Sequence, residues 1–183
     1  MTHSPPPPLV VTSLASVISE SETQGHSVTH AARKIFEETA MGFSSLDSQA
    51  QANLNHRYFG IYLETPDCVY FALEGKNVLG YLVGAPSTLE IHFRLSPYLE
   101  EFRQEIDLRF PAHLHLNLTQ SARGKGVGSK LIQTFLADWQ TRIEPRGVHI
   151  VTAAGDRNVG FYLRNGFREV DQRGKRLLMG RSF

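Results

Sequence analysis

The most informative segment of the chain is "QSARGKGVGSKL", residues 120–131, in which three glycines interleave with Arg123, Lys125 and Val127 ahead of an apolar helical pattern. Glycine is a poor helix former because it loses more conformational entropy on folding than any other residue. Amides at a helix N-terminus lack intrahelical acceptors, and the helix dipole adds partial positive charge there. The segment therefore predicts a loop whose bare backbone binds a phosphate-like anion; a flexible loop that only caps the helix is the alternative.

The order of residues in this loop excludes two nucleotide-binding motifs. The Walker loop needs Gly-Lys followed by Ser or Thr, whereas here Gly128 precedes Ser129 and Lys130. The dinucleotide fingerprint needs its third glycine two residues later, and it needs an acid at the end of the next strand. The next predicted strand, "VHIVTA" at 148–153, has no acid.

The composition narrows the class of protein. The 183 residues are 41% hydrophobic and 20% charged, as in an ordinary globular domain. A formal net charge of +1 provides no basic field, so neither nucleic acid nor a membrane is predicted as a partner. Cys68 is the sole cysteine, which rules out an intramolecular disulfide and favours a cytoplasmic, or else nuclear, location.

The first half of the chain predicts a mixture of elements. Residues 1–8, with four prolines, are expected to form a disordered arm or a ligand for a proline-recognising domain, and residues 9–183 a single domain. Residues 9–26 favour a first strand and then a polar loop. Apolar residues at three- and four-residue steps predict helices from residue 27 and over 45–56.

The middle of the chain predicts a hairpin and a long connection. "DCVYFALEGKNVLGYLVGA" (67–85) has two apolar runs around residues 75–77, which is typical of a β-hairpin. The segment 86–110 is long for a connection, and such segments often carry specificity. It contains a short amphipathic helix, on which the aligned apolar residues are Leu99, Phe102 and Ile106.

Strands and helices alternate in the second half, which predicts a mixed α/β sheet covered by helices. "AHLHLNL" (112–118) alternates strictly, so a strand with its leucines on one face and His113, His115 and Asn117 on the other is expected. The helix after the glycine-rich loop carries an apolar stripe of Val127, Leu131, Phe135, Trp139 and Ile143, and is ended by Pro145 and Gly147. A strand at 148–153, a short helix ended by Gly166 and a closing strand pair follow.

Two motifs in this order resemble the GNAT N-acetyltransferase superfamily. Arg123-x-x-Gly126-x-Gly128, between a strand and a helix, is similar to the acetyl-CoA signature of that superfamily. "NVGFYLRNGF" (158–167) is similar to its second motif. The resemblance covers about residues 28–183. It implies the GNAT fold, a central, mixed, mostly antiparallel twisted sheet of about six or seven strands with helices on both faces.

A narrower resemblance links "FPAHLHLNL" (110–118) and the predicted hairpin to the acetyltransferase-like domain of O-GlcNAcase. This leaves two hypotheses for function. The first is an acetyl-CoA-dependent N-acetyltransferase, in which a primary amine attacks the thioester directly in a ternary complex. The alternative is a catalytically silent acyl-CoA-binding or protein-interaction module. Neither resemblance identifies the acceptor amine or decides whether the protein is a homodimer, and neither implies a metal.

The resemblance assigns the cofactor-binding residues for acetyl-CoA. In the superfamily, the strand before the signature splays from its neighbour, and its backbone holds the pantetheine arm and the thioester oxygen. Here that strand segment is Leu116, Asn117 and Leu118. The pyrophosphate would be bound by the main chain of Arg123, Gly124, Lys125, Gly126, Val127, Gly128 and Ser129. Asn158 would contact the pantetheine arm or cap its helix.

The resemblance also suggests the catalytic side chains. Tyr162 would donate a proton to the coenzyme A thiolate, since a phenol stays protonated at neutral pH; a plain core position is the alternative. His113 and His115 are candidates for the general base because an attacking amine must first lose a proton. Relatives often use a glutamate or ordered waters instead, and buried structural histidines are the other interpretation.

Overall fold

The computed structural model describes residues 7–142 and 146–183, without the side chains of residues 141 and 142. In these residues the chain forms a mostly antiparallel sheet in the order β1-β2-β3-β4-β5-β7-β6. The strands are β1 (Leu9–Ser13), β2 (Val69–Glu74), β3 (Asn77–Ala85), β4 (Ala112–Leu118), β5 (Gly147–Ala153), β6 (Arg168–Arg173) and β7 (Arg176–Ser182). The helices are α1 (Leu14–Glu20), α2 (Glu22–Thr39), α3 (Ser48–Tyr58), α4 (Glu90–Leu95), α5 (Arg103–Arg109), α6 (Val127–Arg142) and α7 (Arg157–Arg164).

This architecture confirms the predicted mixed α/β fold with six or seven strands and flanking helices. Parts of two predictions lie outside the described residues: positions 1–6 of the proline-rich arm, and Ile143 with Pro145 at the end of α6. The chain divides into two compact units, of which the first comprises the residues up to Val83 together with 116–135. The second comprises the rest, and a single domain over 9–183 stays a prediction.

In the first unit, β1, β2 and β3 form an antiparallel meander. Val69 pairs with Val83 and Leu9 pairs with Glu74. The predicted hairpin turn is confirmed at Gly75, whose φ of +60° suits glycine, whereas Asn77 already belongs to β3. Strand β2 is buried from its first residue to Leu73, so it is a central element of this unit.

The predicted polar loop before residue 27 is wrong, because this segment forms α1 and the first turn of α2. Ser13 and Ser21 each accept, through Oγ, a hydrogen bond from the amide three residues further on, at 3.1 and 3.2 Å. These serines are therefore helix N-caps. Leu14 and Val17 are buried and hold α1 in place.

In the second unit, β5, β7 and β6 form an antiparallel sheet that is joined by the first residues of β4. Segment 86–110 is helical over much of its length, and its predicted apolar alignment is confirmed. A core cluster contains Phe93, Leu99, Phe102, Ile106 and Leu178. Pro97 stands at the start of a 3-10 turn, which separates α4 from α5.

We expect Gly180→Ala to lower the free energy of unfolding by about 1–3 kcal/mol, the usual cost of overpacking a core. A β-carbon at Gly180 would lie 2.7 Å from carbons of the Phe110 ring, which is itself buried. Urea unfolding measures the change. Gly160→Ala in α7 is the matched control, since its β-carbon would meet nothing closer than 3.5 Å and alanine favours a helix. Equal effects of the two substitutions would contradict the packing argument.

Candidate functional site

Strand β4 forms where the alternation predicted it, with successive side chains on opposite faces, but neither face is exposed to solvent. Ala112, His113 and Leu114 are all buried, and the residues from 115 to 118 are all half-buried. The reason is the position of the strand, fourth of seven in the sheet, since a central strand is enclosed on both faces. The parallel register with β5 comprises Ala112 with Val148 and His113 with His149, and β4 runs on to Leu118.

The end of β4 lies very close to β3 within the first unit. A β-carbon at Gly80 would lie 2.7 Å from the carbonyl oxygen of Asn117 and would overlap the Leu118 side chain. The Thr119 amide donates to the Leu79 carbonyl at 2.9 Å. The main chain around Asn117 is therefore held firmly against β3, and glycine at position 80 permits the approach.

The glycine-rich loop has the backbone conformation that requires glycine. Gly124 and Gly126 have φ values of +74° and +79°, in the left-handed region. A β-carbon at either position would meet nothing within 4 Å, so the backbone, not crowding, demands glycine here. The open space also leaves the loop accessible to a ligand.

Helix α6 begins at Val127 directly after this loop. The Lys130 amide donates to the Gly126 carbonyl at 3.0 Å, so the amides of residues 127–129 precede the hydrogen-bond ladder of the helix. Val127 is buried and anchors the turn, whereas the stretch from Arg123 to Gly126 and Lys130 are exposed. The arrangement is a cationic, open loop with amide donors, as a phosphate site needs.

Tyr162 lies in α7 of the second unit and is 8% exposed. Its ring packs edge-to-face on Phe161 and Phe167, with centroids 5.2 and 5.3 Å apart. Burial raises the pKa of the phenol, so the hydroxyl is protonated throughout the physiological range. No hydrogen bond from the described residues reaches that hydroxyl. The side chain is thus both part of the core and able to donate a proton.

Asn158 also belongs to α7, but it is not the helix cap, because Asp156 occupies the N-cap position. The Asn158 Oδ1 accepts a hydrogen bond of 2.9 Å from the Thr152 hydroxyl of β5. This bond restrains the side-chain amide of Asn158. At the other end of the helix, Asn165 Nδ2 donates to the Phe161 carbonyl at 2.8 Å, which stabilises the turn before Gly166.

His113 and His115 lie in a cluster of imidazoles in the second unit, together with two histidines that the sequence did not single out. The His113 ring centroid is 4.5 Å from that of His92, 5.6 Å from that of His149 and 6.0 Å from that of His115. His113 Nδ1 is 2.9 Å from the Thr88 hydroxyl. No local pattern marks His92 and His149, since each is an isolated histidine in its own element.

The cluster is electrically neutral at pH 7. Burial is the largest cause, and it lowers the pKa of His115 to about 3 and that of His149 to about 4. The pKa of His113 lies well below its ordinary value for the same reason, with the neighbouring imidazoles adding to the effect. His149 Nδ1 donates to the Phe110 carbonyl at 2.6 Å, which leaves Nε2 as an acceptor. Over residues 7–142 and 146–183, no group of three or more His, Cys, Asp or Glu residues could hold a metal ion.

Comparison with known proteins identifies the family. The family model described as an acetyltransferase (GNAT) domain matches residues 65–169, which is more than half of the chain. This range contains the glycine-rich loop and Tyr162. Within the described part of the chain, no helix is long and apolar enough to cross a membrane.

Solved structures share the fold. The crystal structure of SsHAT is 22% identical, with a TM-score of 0.70 over 96% of this chain and 98% of that one. The PaiA N-acetyltransferase from Thermoplasma acidophilum, in complex with coenzyme A, is 12% identical with a TM-score of 0.58, over 96% and 99% of the two chains. Ard1 from Thermoplasma volcanium is 16% identical with a TM-score of 0.57, over 95% and 97%.

Proposed function

This chain belongs to the GNAT acetyltransferase family, and we propose that it transfers the acetyl group of acetyl-CoA to a primary amine. The observation that carries the proposal is the open loop with left-handed Gly124 and Gly126 directly before α6. The coenzyme A complex of the PaiA N-acetyltransferase, which shares the fold, supports coenzyme A as the acyl carrier. The resemblance to a silent O-GlcNAcase-like module is less well supported, because this chain keeps the glycine-rich loop.

Three parts of the chain are proposed to contact acetyl-CoA. The exposed loop presents main-chain amides and the Arg123 guanidinium to the pyrophosphate. Strand β4 pairs with β5 at its first two residues, Ala112 and His113. Residues 116–118 lie further along β4, and their main chain is proposed to hold the pantetheine arm. The Asn158 amide nitrogen, oriented by Thr152, is a further donor for that arm.

In the reaction, the amine nitrogen attacks the thioester carbonyl carbon, the new C–N bond forms and the C–S bond breaks. An amide of β4 stabilises the negative charge on the carbonyl oxygen. Tyr162 donates its proton to the sulfur as coenzyme A leaves, because its buried phenol is protonated at neutral pH. The attacking nitrogen loses one proton to solvent, and a proton from solvent restores the phenol, so the products are the amide and the free thiol. The amine must be neutral before it attacks, since an alkyl ammonium has no lone pair.

The two histidines are proposed to act in removing the proton from the ammonium form of the acceptor. His113 is buried and bonded to Thr88, which favours a structural role. His115 is half-buried and is therefore the better candidate of the two. Its pKa of about 3 makes it a weak base, which counts against this role and keeps it unprotonated at neutral pH. Consequently no protonation of His115 near pH 6.5 should appear in the pH profile of kcat.

Gly126→Ala should weaken acetyl-CoA binding about tenfold. A residue with a β-carbon leaves the left-handed conformation in the free loop, and restoring that conformation on binding costs about 1–2 kcal/mol. Isothermal calorimetry with acetyl-CoA measures the change. Gly174→Ala is the matched control: this turn glycine has a φ of +59° and equally open surroundings, so it suffers the same strain outside the loop. We expect its affinity to equal that of the wild type.

The wild-type protein itself supplies the decisive comparison. Release of thiol from acetyl-CoA, measured with a panel of small amines, amino sugars and peptides, should identify at least one acceptor. Binding of acetyl-CoA without transfer to any amine would favour the silent acyl-CoA-binding module. Absence of binding would exclude both the transferase and the acyl-CoA-binding module, and would leave the protein-interaction module.

A further inference from the structure

One side chain of β4 joins three elements of the first unit. The Asn117 amide lies between the Tyr81 hydroxyl of β3 and the Thr39 hydroxyl in the last turn of α2. Asn117 Nδ2 is 2.8 Å from the Tyr81 hydroxyl oxygen, and Oδ1 is 3.1 Å from Thr39 Oγ1. Tyr81 is fully buried, and its ring packs edge-to-face on Phe59 with centroids 5.0 Å apart.

With Asn117 Nδ2 towards Tyr81 and Oδ1 towards Thr39, the hydroxyl protons do not complete the hydrogen bonds of these three side chains. Thr39 has one hydroxyl proton, and its closest acceptor is the Ile35 carbonyl at 2.6 Å. If that proton goes to Ile35, the Asn117 Oδ1 and the Thr39 oxygen face each other without a proton between them. The oxygen and nitrogen of a side-chain amide exchange places when the group is rotated by 180°. The hydrogen-bond network therefore determines which atom faces which partner.

Turning the amide by 180° gives both hydroxyl protons an acceptor. Tyr81 then donates to Asn117 Oδ1, Asn117 Nδ2 donates to Thr39 Oγ1, and Thr39 donates to the Ile35 carbonyl. The result is one directional chain from β3 through β4 to α2. Burial raises the pKa of Tyr81, so this donor keeps its proton over the working pH range.

We propose that Thr39 is a positioning residue for acetyl transfer, because it holds the Asn117 side chain and thereby the main chain of β4. This inference rests on the proposed function. Asn117 is restrained at two points. Gly80 lies against its main-chain carbonyl, and the hydroxyls of Thr39 and Tyr81 bind its side-chain amide. Small displacements of groups that stabilise a transition state cost far more in kcat than in substrate affinity.

A hydrogen-exchange measurement tests the chain without reference to catalysis. The side-chain ¹⁵N–¹H signals of Asn117 are assigned through their loss in Asn117→Asp. We expect Thr39→Val, which keeps the β-branched shape and removes the hydroxyl, to speed exchange of the Nδ2 protons by about tenfold, the loss of one hydrogen bond. Tyr81→Phe should have a smaller effect. The reverse ranking, or no effect of either substitution, would overturn the directional chain.

Kinetics test the positioning role. Thr39→Val should lower kcat about tenfold or more and leave both KM values nearly unchanged. The reason is that the β4 amide would be displaced from the position in which it stabilises the transition state. Thr39→Ser restores the hydroxyl and should restore kcat. The double variant Thr39→Val with Tyr81→Phe should lose less than the sum of the single losses, because both act through Asn117. Unfolding midpoints measured in parallel identify any variant that does not fold.

The remaining outcomes separate this inference from the proposed function. Thr39 also lines an open cleft of about 740 Å³ at the end of α2, so an effect confined to the KM of the amine would mean direct contact with the acceptor and would overturn the positioning role. An unchanged kcat in Thr39→Val would overturn it as well. If the wild-type protein transfers no acetyl group, the proposed function and the catalytic role both fall, while the exchange measurement still decides the hydrogen-bond chain.

Discussion

Tyr162→Phe should lower kcat for acetyl transfer by about 100-fold, the lower range of what a positioned proton donor contributes. The thiol that leaves has an acidity similar to that of cysteine, so without a donor it departs as a thiolate. The affinity for acetyl-CoA should not change, because phenylalanine retains the ring that packs on Phe161 and Phe167. Thiol release at saturating concentrations of both substrates measures kcat, and calorimetry measures affinity.

Tyr98→Phe provides the matched control for this substitution. Tyr98 is a half-buried tyrosine of the same unit and stands outside both motifs. Its hydroxyl has no assigned part in the reaction, so kcat should stay at the wild-type value. A wild-type kcat in Tyr162→Phe would remove the proton-donor role and would leave Tyr162 as a residue of the core.

Between pH 7 and pH 5 the protein should lose about 4 kcal/mol of stability through His115 and His149 alone, or about 2 kcal/mol for each. Native pKa values of about 3 and about 4 keep both imidazoles neutral in this range. In the unfolded chain their pKa is about 6.5, so the unfolded state takes up protons that the native state does not. Stability therefore falls as the pH falls below 6.5, and above that pH these groups add no pH dependence.

The size of this effect matters because a domain of this kind is stable by only about 5–15 kcal/mol. His113 acts in the same direction, since burial also lowers its pKa. The other charges that act on these groups are the neighbouring imidazoles themselves, and they lower the pKa values further. Ordinary carboxylates titrate below this range, so the interval from pH 7 to pH 5 reports on histidine.

Urea unfolding at several pH values measures this loss, with the fluorescence of Trp139 as the signal. Trp139 is the sole tryptophan of the chain and is 1% exposed, so it reports on loss of the core. His149→Asn places an amide donor near the Phe110 carbonyl and removes one titrating group, so the pH slope should decrease by about one proton. His30→Asn, at an exposed position of α2, should leave the slope unchanged. Equal slopes in all three proteins would contradict the argument.

Several elements formed where local patterns predicted them. The alternating run became β4 over Ala112–Leu118, and the apolar stripe that starts at Val127 became α6. Both patterns depend on the spacing of neighbouring side chains, which the chain carries regardless of its surroundings. The sequence pattern did not predict α1 and the start of α2, because their formation depends on tertiary packing. Serines that are typical of a loop act here as N-caps, and the apolar residues of these helices are buried in the core.

The family resemblance, the loop and the candidate side chains could be identified from local motifs. Glycines that must be left-handed at 124 and 126, and an asparagine and a tyrosine four residues apart in α7, are local properties of the chain. The contacts and proton affinities of those side chains depend on how the fold brings distant residues together. Thr39 meets Asn117 across 78 positions of sequence, and four histidines from three separate elements form one largely buried cluster. Desolvation sets the proton affinity of an imidazole, and it depends on what the fold places around the ring, which no local pattern records.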